Sequence, residues 1–150
     1  MAALSADVYV QHGANARFVQ IQAVGADTFY KGAIVVYDLS TGYLQVPTGG
    51  SADVFAGIVA EQTTTTAQGN EVLVQTEGEA LIVYNSVLRA DEGDLLFRDI
   101  SANSDNPGDL HSAADAATAD VAIGRIFRIE SLTLGGWVRL HDNSAVATGA

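Results

Sequence analysis

The sequence predicts an all-β domain. Valine (16), isoleucine (8) and threonine (11) are abundant among its 150 residues. Such branched side chains are stiff at χ1 and pack well on a pleated surface. Fifteen glycines are scattered along the chain and proline occurs only twice, a balance that favours turns between uninterrupted strands. Short apolar or alternating runs recur between turn signals, which fits a sandwich or small barrel better than βαβ units.

The elements follow in order. Residues 1–16 are small and polar and read as an N-terminal arm, with the alternating piece Asp7-Val8-Tyr9-Val10-Gln11 as an extended strand. Arg17 to Val24 alternates with period two, and Val19, Ile21 and Ala23 make its buried face. Ala33 to Asp38 is nearly continuous in apolar residues, as in a strand buried on both faces, and Tyr43 to Val46 returns from the Leu39–Gly42 turn as a hairpin. Phe55 to Glu61 is a strand, and Thr63 to Asn70 a polar tip. Glu71 to Thr76 and Glu79 to Tyr84 read as two strands separated by a turn at Glu77-Gly78. Ser86 to Glu92 suits one helical turn and Asp94 to Arg98 a strand. Residues 99–120 read as a long acidic surface loop, with a short helix at His111 to Ala117. Ala122 to Glu130 and Gly136 to His141 close the domain, taken as 17–142, and 143–150 form a flexible tail.

Charge and composition exclude several functions. The chain carries 7 Lys+Arg, of which Lys31 is the sole lysine, against 18 Asp+Glu, for a net charge of −11. A surface of that sign repels phosphate backbones, so nucleic acid is not an expected partner. With no cysteine there is no disulfide, thiolate zinc site, iron–sulfur cluster or thiol nucleophile. No run approaches the roughly 18 apolar residues that span a bilayer, so no membrane is expected either. The first residues, Met-Ala-Ala-Leu-Ser-Ala-Asp, have neither a basic nor an apolar leader segment, which suggests a chain made and kept in a cytoplasm or released by lysis.

The search for chemistry returns no catalytic, cofactor or metal residues. His12, His111 and His141 share no short ligand spacing. His141-Asp142 resembles half of a hydrolase dyad, but no GxSxG elbow accompanies it. Eight of the 18 acids fall between Asp91 and Asp120, yet Asp99 to Asp109 lacks the order of a calcium loop. Arg125 and Arg128, three apart, project to opposite sides of a regular strand, which argues against a basic groove. With Arg139 they suit pairing with acids or with a partner subunit. Phe127 and Trp137 read first as a core pair and second as interface anchors.

The order of the motifs is more informative than any one of them. Tyr30-Lys31-Gly32-Ala33-Ile34-Val35, Thr41-Gly42-Tyr43, Phe55-Ala56-Gly57-Ile58-Val59-Ala60-Glu61, Gly69-Asn70-Glu71-Val72-Leu73-Val74 and Glu77-Gly78 follow one another, and Ile123-Gly124-Arg125-Ile126 and Gly136-Trp137-Val138-Arg139-Leu140 close the chain. Over residues 29–140 this pattern resembles the tailed-phage capsid cement, or decoration, protein family. The resemblance implies a small β-tulip domain without enzymatic activity or cofactor. It implies a homotrimer that sits on the outside of the capsid at local three-fold positions and clamps the major capsid protein after shell expansion. Asp7, Val8, Tyr9, Val10 and Gln11 are then the candidates for contact with the shell, by strand addition to a sheet edge. Arg125, Phe127, Arg128, Trp137 and Arg139 are the candidates for contact between subunits.

On this reading the chain is made in the host cytoplasm and ends on the virion surface. A trimer would carry three times the chain's −11 and repel packaged DNA. The acids between 91 and 120 are expected to face solvent, with shell contacts near the N-terminus. The alternatives are another β-rich virion component, such as a head fibre or tail protein, or a carbohydrate-binding or carbohydrate-cleaving β domain. The last would show a groove with an exposed aromatic residue near two carboxylates.

Overall fold

The structure, a computed structural model, describes residues 3–47, 53–98, 104–112 and 121–141. These form strands β1 (Gln11–His12), β2 (Arg17–Gln22), β3 (Thr28–Phe29), β4 (Ile34–Asp38), β5 (Leu44–Gln45), β6 (Asp53–Val59), β7 (Thr63–Thr64), β8 (Glu71–Ile82), β9 (Leu95–Arg98), β10 (His111–Ser112), β11 (Val121–Ser131) and β12 (Gly135–Leu140). Helical structure among the described residues is limited to two 3-10 turns, Arg89–Asp91 and Pro107–Asp109. The domain is all-β, as the composition predicts.

The twelve-residue β8 is the axis of the sheet. Its first half pairs with β2 and β6, and its second half with β1 and β12. From β6 the sheet continues through β4 to β5, and from β12 through β11 and β9 to β10. Parallel bridges Ala23↔Leu44 and Asn85↔His111 bring each wing back on itself. The sheet therefore curls, and it encloses two apolar clusters. One contains Ile34, Phe55, Ile58, Ala80, Ile82, Leu96, Ile126 and Val138, the other Phe29, Val35, Leu44, Ala56, Val59, Val72 and Val74. Successive residues of β4 and β6 enter different clusters, which is why these strands read as apolar on both faces. A small separate sheet, β3 with β7, turns Thr63 and Thr64 of the expected polar tip into a strand.

Three expectations change. First, Glu77-Gly78 is no turn but the middle of β8. Gly78 has φ +89°, and a Cβ there would press on the Asn15 carbonyl and lie 2.6 Å from Ala16 N. The left-handed glycine lets the 13–16 loop cross the strand closely, where Gly13 N–H donates to the Glu79 carbonyl at 2.7 Å and Glu79 N–H to that of Ala14 at 3.0 Å. It also marks the place where β8 stops feeding one cluster (Val72, Val74) and starts feeding the other (Ala80, Ile82).

Second, the described part of the acidic loop does not face solvent. Asp91 and Asp105 are buried, as are Ser104, Pro107, Leu110, His111 and Ser112. Leu110 anchors in the first core cluster. The Asp105 carbonyl accepts from Ile34 N–H at 2.8 Å, and its carboxylate from Leu4 N–H at 2.9 Å. Both carboxylates accept backbone donors inside the fold, Asp105 from Leu4 and Asp91 from Leu88. Glu92 is exposed and Asp94 half-buried. His111–Ser112, the start of the expected helix, is strand; residues 113–117, Asp99, Asp115, Asp120 and the 143–150 tail lie outside the described residues.

Third, the N-terminal stretch is docked on the body. Val8 N–H donates to the Lys31 carbonyl and Lys31 N–H to the Asp7 carboxylate, both at 2.9 Å. Val10 is buried in the first core cluster, and Val8 leans on the Lys31-Gly32 turn. Tyr9 and Gln11, on the alternate face, are exposed.

Candidate interaction surface

The outer face of β1, β8, β12 and β11 gathers the candidate subunit-contact residues, with Tyr9 and Gln11 of the N-terminal candidates beside them. Arg128 is opposite Trp137, Trp137 opposite Leu81, and Leu81 opposite Gln11. One step along, Arg125, Arg139 and Glu79 make a second row. Directly opposed residues project from the same face. The alternate residues Ile126, Val138 and Ala80 point into the core.

A bulge creates this face. β11 pairs Ile126 with Val138 and then Arg128 with Trp137, leaving Phe127 extra. Ile126 and Ile129 are both buried, while Arg125, Phe127, Arg128 and Glu130 are half-buried or exposed. The extra residue resets the two-residue alternation. Arg125 and Arg128 thus share a face, correcting the expectation that they point apart. Three of the chain's seven cationic residues stand there together.

The side chains interlock. The Arg139 guanidinium stacks 4.4 Å from the Phe127 ring centroid, and its Nε lies 3.8 Å from Glu79 Oε2. Arg128 lies 5.6 Å from the Trp137 ring and 3.3 Å from Glu130 Oε2. Trp137 Nε1–H donates to the same Glu130 oxygen at 3.1 Å. Arg125 Nη1 donates to the Gly93 carbonyl at 2.6 Å. Exposed ion pairs of this kind contribute about 0–1 kcal/mol; their effect is to hold the guanidinium groups and rings in a fixed pattern. Trp137 is 8% exposed: Gly13 passes over its ring, where a Cβ would come within 2.6 Å of Cζ3. It is a floor for the face, and Arg128 stands out from it. Tyr9, 65% exposed, donates its hydroxyl to Gln11 Oε1 at 2.9 Å and flanks the row.

Of the N-terminal candidates, Tyr9 and Gln11 therefore lie on the surface, Val10 lies in the core, and Asp7 and Val8 hold the Lys31-Gly32 turn. Sequence reasoning missed Glu79 and Glu130, which pair with Arg139 and Arg128, Leu81, which lies between Gln11 and Trp137, and the exposed Leu132 and Leu134 at the hairpin tip. The signal for the tip was apolar Leu-Thr-Leu at 132–134, where a solvated turn needs none.

Away from this face, a cleft of about 520 Å³ is lined by Leu4, Asp27, Tyr30, Val46, Pro47 and Asp105 among others, with no lysine or arginine among the described residues that line it. Asp27 Oδ1 accepts from Thr28 N–H at 2.9 Å. Burial pushes the Asp105 carboxyl above its ordinary range, opposed by the hydrogen bond from Leu4 and reinforced by Asp27 and Asp109. A raised folded-state value means the folded chain holds a proton that the unfolded chain releases. The resulting stability is present below the ordinary carboxylate value and lost as pH rises through the raised one. Asp105→Asn keeps an acceptor for Leu4 without the charge. It is expected to exceed the wild type in stability at pH 7, with the difference shrinking as pH falls below about 4. Urea unfolding at pH 7 and pH 3.5 checks this; a variant less stable at pH 7 than at pH 3.5, relative to wild type, contradicts it.

The three histidines occupy separate surroundings. His12 Nδ1 bonds Gln75 Oε1 and the ring meets Phe18 edge-on, His111 is buried in β10, and His141 packs on Phe55. Among the described residues no group of three or more His, Asp or Glu is placed to hold a metal ion. No helix of the described residues is long and apolar enough to cross a membrane. Compared with protein-family models and with curated proteins, the chain matches none.

Proposed function

We propose that this chain is a non-enzymatic capsid cement protein. It binds the outside of an assembled phage shell as a trimer at local three-fold positions, bridges major capsid subunits, and stabilises the expanded shell against the pressure of packaged DNA. The observation that carries this reading is the outer face of β1, β8, β12 and β11, where Tyr9, Phe127, Trp137 and three arginines stand together. Tyrosine, tryptophan and arginine are the residue types that dominate protein–protein hot spots. The glycines of the quoted motifs support the reading too: Gly32, Gly57, Gly78, Gly124 and Gly136 sit where a Cβ would press on a neighbouring strand, segment or side chain. Gly42 and Gly69 of the same motifs have open space there and serve their turns through positive φ instead.

A ligand that binds only the assembled shell stabilises it by mass action, and three linked weak contacts gain through avidity. Mixing the protein with undecorated, expanded capsids of the virus that encodes it is expected to give saturable binding and a higher capsid melting temperature. Tyr9→Ala is expected to weaken binding about tenfold, the loss of one moderate hot spot. Absence of both binding and stabilisation refutes the proposal. Imaging the particle separates a cement position from a fibre or tail position.

The cleft supports a second reading. Tyr30 with Asp27 and Asp105 on its walls is what a carbohydrate-binding domain would use. Glycan binding that Tyr30→Ala abolishes, in a protein that ignores capsids, would favour it.

A further inference from the structure

We infer that copies of the chain associate head to tail, the arginine-bearing outer face of β11 and β12 in one copy docking on the acidic cleft of the next. This rests on the trimeric part of the reading above and names the two faces that make the contact.

The outer face is not complementary to itself. It carries Arg125, Arg128 and Arg139 against Glu79 and Glu130, in a chain whose net charge is −11. Packing it on its own copy by a two-fold axis would set three arginines and two glutamates against the same set, leaving an excess of positive charge in the contact. A partner that presents acids balances that excess. The chain itself supplies them in the cleft, where Asp27 and Asp105 meet no lysine or arginine among the lining residues.

The walls also match. Leu4, Val46 and Pro47 are apolar, and Tyr30 adds an aromatic ring. An arginine is a cation on an apolar stem, and its planar head stacks on rings and forks onto carboxylates. Arg128 is the best placed to enter, with its side chain 58% exposed. Asp27 is half-buried and presents the more accessible carboxylate of the cleft to an incoming guanidinium, while Asp105 lies deeper at 5% exposed.

The outer-face residues and the cleft-lining residues are different sets, so every copy carries one of each. A contact between unlike faces is heterologous, and it closes into a ring when its rotation divides a full turn. A rotation of a third of a turn between copies would make that ring the trimer of the reading above, with no self-complementary patch needed.

The test uses the full chain in sedimentation equilibrium over a range of concentrations, with thermal melts of each variant. Wild type is expected to form a closed oligomer that loosens with salt. Arg128→Glu and Asp27→Arg, each alone, are expected to weaken assembly at least about tenfold. The double variant, Arg128→Glu with Asp27→Arg, restores opposite charges across every contact and is expected to recover it. Should Asp27→Arg melt early, Asp27→Asn carries the test, with weakened assembly expected and wild-type assembly overturning the pairing. Singles that assemble as wild type does, or a double variant no better than the singles, overturn the proposed docking while capsid binding still stands. A wild type monomeric both free and on particles removes the trimer, and with it this contact.

Discussion

Replacing Gly57 with alanine is expected to destabilise the domain by about 3 kcal/mol. Gly57 lies in β6 beside Ile58, which pairs with Gln75 of β8. A Cβ at Gly57 would collide with the Gln75 carbonyl oxygen, lie 2.7 Å from Val74 Cγ1 and 3.0 Å from the Gln75 carbonyl carbon. Two of these three atoms are backbone, so no rotamer change relieves the clash, and the strands must part. Parting them disturbs both cores, because Phe55 and Ile58 feed one cluster while Ala56 and Val59 feed the other. Gly42 is the control. It is left-handed, at φ +78°, but nothing lies within 4 Å of its missing Cβ. Gly42→Ala meets only backbone strain, about 1 kcal/mol. Denaturant unfolding should rank the two in that order. In a domain of this size the larger loss corresponds to a fall in Tm of roughly 6–12 °C. Equal effects would show that the β6–β8 approach is not what requires glycine.

Local chemistry was legible wherever it decides the outcome. The β4–β5 hairpin, β6 and the β11–β12 hairpin follow from apolar runs and turn residues. The double-sided apolar pattern of residues 33–38 correctly signalled burial on both faces, and the two clusters explain it. What local chemistry could not show was long-range use of the same signals. Glu77-Gly78 has the composition of a turn, yet its glycine serves the close crossing by the 13–16 loop, some sixty residues away in sequence. The acids at 91 and 105 looked like solvated loop charges because their partners, Tyr84, Leu88, Leu4 and Ile34, are fixed only by the fold. The candidate surface depended on a bulge. One extra residue at Phe127 moved Arg128 to the face of Arg125, and a regular period of two cannot foresee that. Candidate residues were therefore found by type, whereas their gathering on one face, with Tyr9 and Gln11 beside them, needed the register of β8.

Asp91→Ala is expected to cost about 3 kcal/mol, and the loss should pass to the candidate surface. Asp91, 2% exposed, accepts from the Tyr84 hydroxyl at 2.7 Å and from Leu88 N–H at 2.9 Å through the same oxygen. Alanine leaves both donors in place without an acceptor, and Tyr84 is buried. The turn that Asp91 closes also fastens β11: Arg89 Nη1 donates to the Ile129 carbonyl at 3.2 Å, Gly93 N–H to that of Ile126 at 2.7 Å, and Ile129 N–H to Glu92 Oε1 at 3.0 Å. These bonds bracket Phe127 and Arg128, so loosening the turn should raise amide exchange across the bulge before the rest of the sheet. Tyr84→Phe removes one donor together with its need for a partner, and should cost only about 1 kcal/mol. Combined with Asp91→Ala it should cost less than the sum, because the stranded hydroxyl is gone. Alkaline pH reads the same contact independently. Burial first, and then the Asp91 carboxylate, push the Tyr84 hydroxyl far above its ordinary value of 10.0. The folded chain keeps that proton while the unfolded chain releases it, so stability is full below pH 10 and falls as pH rises beyond it. Tyr84→Phe should flatten that fall. An unchanged alkaline slope, or strictly additive losses in the double variant, would show that Tyr84 and Asp91 do not act as a pair.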